Sequence, residues 1–245
     1  MELKGKVIIV TGGSGLIGRE IVKYLHAKEA NVISADINIE TALDKDFVQC
    51  DITSEESIKL CIKFVLDKYG WIDGLVNSAY PRTSDWDVVF EKVPFDSWKK
   101  NVDMQMNSVF FFCKEVLEIM VKQKSGSIVN LGSIYGVVGN DFTIYEDLDM
   151  TAPVAYSAIK GGIINLTRYL ASYFGKYGIR VNCVSPGGIE DGQDPIFIKR
   201  YSHKTPLKRM GKAEEISPVV AFLLSDEASY ITGHNLMVDG GWTVE

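Results

Sequence analysis

Residues 7–18 read Val7-Ile8-Ile9-Val10-Thr11-Gly12-Gly13-Ser14-Gly15-Leu16-Ile17-Gly18. Four apolar residues without polar alternation predict a strand buried on both faces. A glycine-rich turn follows, and then Ile17, Ile21, Val22 and Leu25 recur at helical spacing. Strand, glycine turn and helix in that order aim the amide-rich, partly positive start of a helix at a phosphate. A side chain in the turn would hold a pyrophosphate away from the backbone. The same pattern also simply joins strands to helices, so it needs support from elsewhere. The stretch from Asn31 to Asp36 supplies it: a second buried strand ends in an acid about 20 residues beyond the glycines, where a carboxylate binds the ribose hydroxyls of an adenosine.

Composition sets the outer bounds. A chain of 245 residues with 46% hydrophobic content can bury a full core as one α/β domain spanning 1–245. A net charge of −6, with no Lys/Arg cluster to override it, argues against a nucleic-acid surface. Cys50, Cys61, Cys113 and Cys183 lie far apart and match no metal-ligand spacing, so packed, reduced thiols and no metal are expected. The first five residues lead straight into a strand, without a signal-peptide pattern, and no apolar run approaches the roughly 20 residues of a membrane span. The expectation is a soluble, cytoplasmic protein.

Strands and helices alternate to the end. Helices are predicted over 54–69, 95–122, 153–177 and 213–224, and strands over 72–76, 127–131, 180–184 and 235–238. Ser54 caps the first of these helices, with Glu55 and Glu56 in its first turn. Repeated βα units without a hairpin signal imply a single-domain Rossmann-type fold: a doubly wound parallel sheet of about seven strands with helices on both faces. Two stretches, 139–152 and 187–205, lack clear periodicity. Long irregular segments of this kind serve as lids or binding loops, and both should lie over the carboxyl edge of the sheet.

Tyr156 and Lys160 stand four residues apart on a predicted helix, hence on one face. A phenol with a pKa of about 10 is a poor base at neutral pH. Two unit charges about 5–6 Å apart at an effective dielectric near 20 interact by roughly 3 kcal/mol, or about two pKa units. A lysine in that position can bring a tyrosinate into working range, ready to take a proton from an alcohol as hydride leaves its carbon.

The combined pattern resembles the short-chain dehydrogenase/reductase family over nearly the whole chain. The turn matches the family's T-G-x-x-x-G-x-G except that Leu16 replaces its middle glycine, so the backbone there must use ordinary dihedrals. Asp36 resembles the NAD-selecting acid, and Asp51 and Ile52 the adenine-contacting pair after the third strand. Asn77-Ser78-Ala79-Tyr80 partly matches N-N-A-G, Asn107 resembles the helix asparagine, and Ser133, Tyr156 and Lys160 resemble the catalytic serine and the Y-x-x-x-K pair. Pro186, Gly187 and Ile189 fall in the nicotinamide-side turn, and Val238-Asp239-Gly240-Gly241 resembles the closing V-D-G-G. The resemblance implies an NAD cofactor held by Gly12, Ser14, Gly15, Leu16, Ile17, Gly18, Asp36, Asp51, Ile52, Asn77, Ser78, Ala79, Tyr156, Lys160, Pro186, Gly187 and Ile189. It also implies Tyr156 as acid/base, Lys160 lowering its pKa, Ser133 bonding the substrate oxygen, and Asn107 anchoring a proton-relaying water. NAD rather than NADP follows from Asp36, which would repel a 2′-phosphate, and from the lack of a cation at Ile37, Asn38, Ile39, Ser14 or Gly15.

Departures narrow the likeness. Tyr80-Pro81-Arg82 puts an aromatic ring and a guanidinium beside the site, and the stretch between Ser133 and Tyr156 is longer than in most single-domain members. That insert carries Phe142, Tyr145, Glu146, Asp147 and Asp149. These features are similar to those of the flagellin-modification protein A-type oxidoreductases linked to surface sugars of the legionaminic type. Aromatic faces with acids and amides suit a polyhydroxylated ring, which makes Tyr80, Arg82, Tyr135 and Tyr145 the candidate substrate residues. Arg82 together with Lys199, Arg200, His203 and Lys204 could hold a phosphate or nucleotide. The expected reaction is hydride transfer at a hydroxyl/keto carbon of an amino sugar or nucleotide-sugar. Two alternatives stay open: an NAD-retaining sugar epimerase or dehydratase, and a non-catalytic dinucleotide-sensing protein. The two long helices carry more apolar surface than one sheet face covers, and the resemblance implies that they pair into dimers or tetramers.

Overall fold

A computed structural model describes residues 2–38 and 46–244. Seven strands, β1 (Val7–Thr11), β2 (Asn31–Asp36), β3 (Phe47–Gln49), β4 (Gly74–Asn77), β5 (Gly126–Leu131), β6 (Ile179–Pro186) and β7 (Asn235–Val238), form one sheet in the order β3-β2-β1-β4-β5-β6-β7. Every pairing is parallel. The chain winds outward from β1 to β3 and then crosses back to place β4 on the other side of β1. That reversal opens a crevice at the carboxyl ends of β1 and β4, where α/β proteins bind ligands.

The apolar run of β1 is buried on both faces because the sheet is sandwiched. Val7 and Ile9 pack with Ile33, Leu75, Ile128 and Val181 against α2 (Glu55–Tyr69), α4 (Ser108–Gln123) and α5 (Val154–Phe174). Ile8 and Val10 pack with Val32, Val76, Val129 and Val184 against α1 (Leu16–Ala27) and α7 (Ser217–Leu224). α2 begins where the Ser54 hydroxyl accepts from the Ser57 amide at 3.2 Å and ends at left-handed Gly70. All four cysteines are buried and free.

Three expectations change. The helix predicted over 95–122 is α3 (Phe95–Val102), one π-turn (Asp103–Asn107) and α4. Residues 213–224 are a 3-10 turn followed by α7. The 187–205 stretch is not irregular throughout, since it contains α6 (Pro195–Lys204). Asp194 caps α6 by accepting from the Ile196 amide at 2.7 Å, Pro195 fills the first turn, and Phe197 and Tyr201 are its buried residues.

Candidate active site

The carboxyl ends of β1, β2, β4, β5 and β6 open into one cleft of about 740 Å³. Its phosphate end is shaped by backbone. Gly12 has φ +65°, and a Cβ there would lie 2.6 Å from Cα of Ala79; a Cβ on Gly18 would overlap the Gly12 carbonyl. Gly15, at φ −72°, precedes α1, so Leu16 enters the helix in ordinary geometry. Thr11 ties this turn to its neighbour, its hydroxyl accepting from the amides of Ser78 and Ala79 at 3.1 and 3.2 Å.

Asp36 is 7% exposed and lines the cleft. Its carboxylate accepts from the Ser14 amide at 3.0 Å and the Asn38 amide at 2.9 Å, which fixes its orientation. Asp51, Ile52, Ser78, Ala79, Pro186, Gly187 and Ile189 line the same cleft, as do Ser14, Gly15, Leu16 and Ile17. Asn77 does not. Its amide spans the sheet instead, donating to Asn130 Oδ1 at 2.8 Å, and Asn130 donates to Thr167 Oγ1 on α5 at 2.9 Å. This buried chain pins α5, and with it Tyr156 and Lys160, to the middle of the sheet. Of the positions weighed for a 2′-phosphate-binding cation, Ile37 and Asn38 line the cleft, while Ile39 lies outside the described residues. The glycine cradle, the start of α1 and an acid oriented between them fit a dinucleotide.

Ser133, Tyr156 and Lys160 meet at the far end of the cleft. Lys160 is 7% exposed and donates to the Leu131 carbonyl at 2.8 Å. Its ammonium lies 5.4 Å from the centre of the Tyr156 ring and 5.9 Å from that of Tyr80. Burial pulls the lysine pKa down to about 8. Burial also pushes the Tyr156 phenol up, with the Ser133 hydroxyl opposing the rise by hydrogen bonding to it. The charge-only estimate from the i,i+4 spacing thus omits the larger effect here, which is desolvation of both groups.

Asn107 is exposed and donates to Asp103 at 2.8 Å, away from the cleft. The amide turned inward by the π-turn belongs to Gln105, which is 3% exposed and has neither Nε2 nor Oε1 hydrogen-bonded. The π-turn packs against α5, and Met106 reaches Gly162, two residues beyond Lys160. π-turns inside helices recur at functional sites, and a buried unbonded amide costs roughly 1–3 kcal/mol. The sequence carries no signal for this, because helical periodicity does not show an extra residue in one turn.

A second chamber of about 490 Å³ adjoins the cleft, sharing Tyr80, Arg82, Tyr135 and Tyr156 with it. Tyr145 lines it too, so all four candidate substrate residues come together. Trp86 and Asp87 join them without having been singled out in the sequence. The rings of Tyr80, Trp86 and Tyr156 pack edge-to-face, with centroids 5.6 to 6.2 Å apart. Arg82 lies over Tyr80 at 5.4 Å. Thr83, Ser84, Asp87 and Thr151 supply hydroxyls and a carboxylate around the rings. Lys199, Arg200, His203 and Lys204 do not reach this chamber and line a separate groove.

This fold and site define a dinucleotide-dependent oxidoreductase, and the chain belongs to the short-chain dehydrogenase/reductase family. Residues 13–243 match the family model described as enoyl-(acyl carrier protein) reductase. The chain is similar to a post-translational flagellin modification protein A of Campylobacter coli, 36% identical over 98% of this chain and 99% of that one. It is 32% identical to a 3-oxoacyl-[acyl-carrier-protein] reductase of Thermotoga maritima, over 100% of both chains. A crystal structure of a short-chain dehydrogenase from Leptospira borgpetersenii with bound NAD+ superimposes with a TM-score of 0.90 at 36% identity, covering 99% of this chain and 94% of that one.

Proposed function

We propose that this protein is an NAD-dependent dehydrogenase or reductase acting at a hydroxyl/keto carbon of an amino sugar or nucleotide-sugar in surface glycan biosynthesis. The observation that carries this reading is that Tyr156 borders both the dinucleotide cleft and the aromatic chamber beside it. Asp36 favours NAD over NADP, because a 2′-phosphate would meet its carboxylate. The chamber favours a ring with hydroxyls and an amine: Tyr80, Tyr135, Tyr145 and Trp86 give it faces, and Thr83, Thr151 and Asp87 give it polar partners. The similarity to a protein named for flagellin modification supports a role in modifying a surface structure.

When bound, the nicotinamide supplies the hydride acceptor or donor. Tyr156 exchanges the proton at the reacting oxygen, and the Ser133 hydroxyl donates a hydrogen bond to that oxygen as its charge changes. Lys160, desolvated and bonded once, favours the phenolate and carries donors for the ribose. Gln105, rather than Asn107, is the buried amide of the π-turn that packs against α5. The protein works in the cytoplasm as a dimer or tetramer, in keeping with exposed Phe95, Phe110, Tyr169 and Tyr173 on α3, α4 and α5. Among the described residues no helix is long and apolar enough to cross a membrane.

The test is NAD-linked absorbance with a panel of nucleotide-activated and phosphorylated amino sugars, run beside simple alcohols and a 3-oxoacyl thioester. Sugar turnover, lost about 10²- to 10⁴-fold in Tyr156→Phe with NAD+ affinity intact, is the expected result. Turnover confined to the alcohols or the thioester would reject the sugar. NAD retained through purification, with a changed sugar and no net NADH, would instead establish the epimerase or dehydratase reaction. No turnover with any substrate, together with a Tyr156→Phe variant that leaves the cellular phenotype intact, would point to a non-catalytic dinucleotide-sensing protein.

A further inference from the structure

α6 buries Phe197 and Tyr201 against Ile134, Ile144 and Met210, which turns its opposite face outward. That face and the neighbouring turn enclose a groove of about 640 Å³. Lys199, Arg200, His203, Lys204 and Lys208 line it, and no acid does. For a chain of net charge −6 this is a local inversion of sign. The five groups are only partly engaged. Arg200 donates to the Glu146 carbonyl, Lys204 pairs with Asp141, and Lys208 donates to the His203 carbonyl at 2.7 Å. Among the described residues, neither the Lys199 side chain nor the His203 ring has an ion-pair or hydrogen-bond partner.

The groove shares no lining residue with the dinucleotide cleft or the chamber. It nevertheless lies one residue away from the chamber along the chain. In the 3-10 turn Phe142–Tyr145, Ile144 lines the groove and Tyr145 the chamber. Buried Ile144 and exposed Ile196 add apolar surface to its lining. Its concave shape suits a compact polyanion, since adjacent like charges repel until an anion offsets them, and phosphate oxygens accept several charge-assisted bonds at once.

We propose that this groove is a second ligand site, taking a phosphate or diphosphate ester on Lys199 and His203 with Arg200 and Lys208 closing around it. The ester belongs either to the tail of a substrate whose ring occupies the chamber, or to a separate small effector. Only the first source rests on the sugar reading above.

Inorganic pyrophosphate titrated calorimetrically into the NAD+-saturated protein tests the site, because the cofactor then blocks the other phosphate cradle. The expected result is one saturable site, weakened at least about tenfold in the Lys199→Glu/His203→Glu variant and weakened again by raising salt from 0.05 to 0.3 M, with NAD+ affinity unchanged. No saturable binding, or binding indifferent to the double substitution, overturns the proposal. The source follows from kinetics. A KM raised in the variant for a nucleotide-activated sugar, but not for its unphosphorylated counterpart, assigns the groove to the substrate's tail. Retained pyrophosphate binding in the parent protein with equal KM values in the variant assigns it to an effector. A chain that turns over no sugar leaves the pyrophosphate measurement intact.

Discussion

The two halves of the cleft are built from different materials. At the β1–β2 end, backbone does the work: Gly12 and Gly18 clear space, the start of α1 presents amides, and Asp36 is held by the amides of Ser14 and Asn38. At the β5–α5 end, side chains do it: Tyr80, Trp86 and Tyr156 pack ring against ring, and Lys160 and Tyr156 are both pushed by burial toward their neutral forms. The first half leaves the uncapped amides at the start of α1 open to a ligand. The second holds polar groups whose partners must come from ligands, as functional sites do at the expense of stability.

That contrast is sharpest at Lys160. Its pKa is about 8 in the fold against 10.5 for an ordinary lysine, so the folded state holds this proton less tightly than the unfolded chain. Below pH 8 both states are protonated and the full penalty, roughly 3 kcal/mol, is present. Between pH 8 and 10.5 the unfolded chain binds more protons, and this group's contribution to stability rises with pH. Lys160→Met should therefore be more stable than the parent at pH 7, by roughly 2 kcal/mol after the Leu131 carbonyl loses its donor. Urea unfolding across pH 7–9.5 should show that advantage shrinking as pH rises. A gap independent of pH would mean that the ammonium is not desolvated, and the contrast between the halves would fail.

Gly18→Ala probes the other half. The new Cβ collides with the Gly12 carbonyl, backbone against backbone, so the turn must open. A loss of about 1–3 kcal/mol in NAD+ affinity is expected, with the chamber's rings undisturbed as read by near-ultraviolet circular dichroism. An unchanged dissociation constant would show that the cradle is softer than its geometry implies.

What the sequence disclosed follows the same division. The β1 turn and Asp36 were legible because a backbone site leaves its mark as glycines at fixed spacing after an apolar run. The apolar stretches of β4 and β5 were legible because a strand buried on both faces shows no polar alternation, whereas β6 carries Arg180 and Asn182 at alternate positions. α6 was hidden: only Phe197 and Tyr201 are buried among ten residues, too few to establish a period. Trp86 and Asp87 were hidden because their place in the chamber depends on how the 80–87 segment folds back over Tyr156, and no local pattern encodes that. The direction of the Asn77 side chain was hidden for a related reason. Its position at the end of β4 suited a ligand contact, yet its amide points along the sheet to Asn130.

Gln105 and Asn107 give the smallest effects and the finest discrimination. On a regular helix the two amides would differ by about 200° around the axis, and neither would be marked as special. The π-turn settles which one is enclosed: Asn107 bonds its own helix at Asp103, while Gln105 is buried without a partner. Asn107→Ala should change stability by no more than about 0.5 kcal/mol and leave kcat within about twofold. Gln105→Met removes two unbonded polar atoms from the interior at similar volume, so it should hold or slightly raise stability. If Gln105 serves the Lys160–Tyr156 pair, that same variant should lose activity and shift the pH profile of kcat despite its stability. A Gln105→Met enzyme with a parental pH profile would make this amide a packing residue and would confine the chemistry to Ser133, Tyr156 and Lys160.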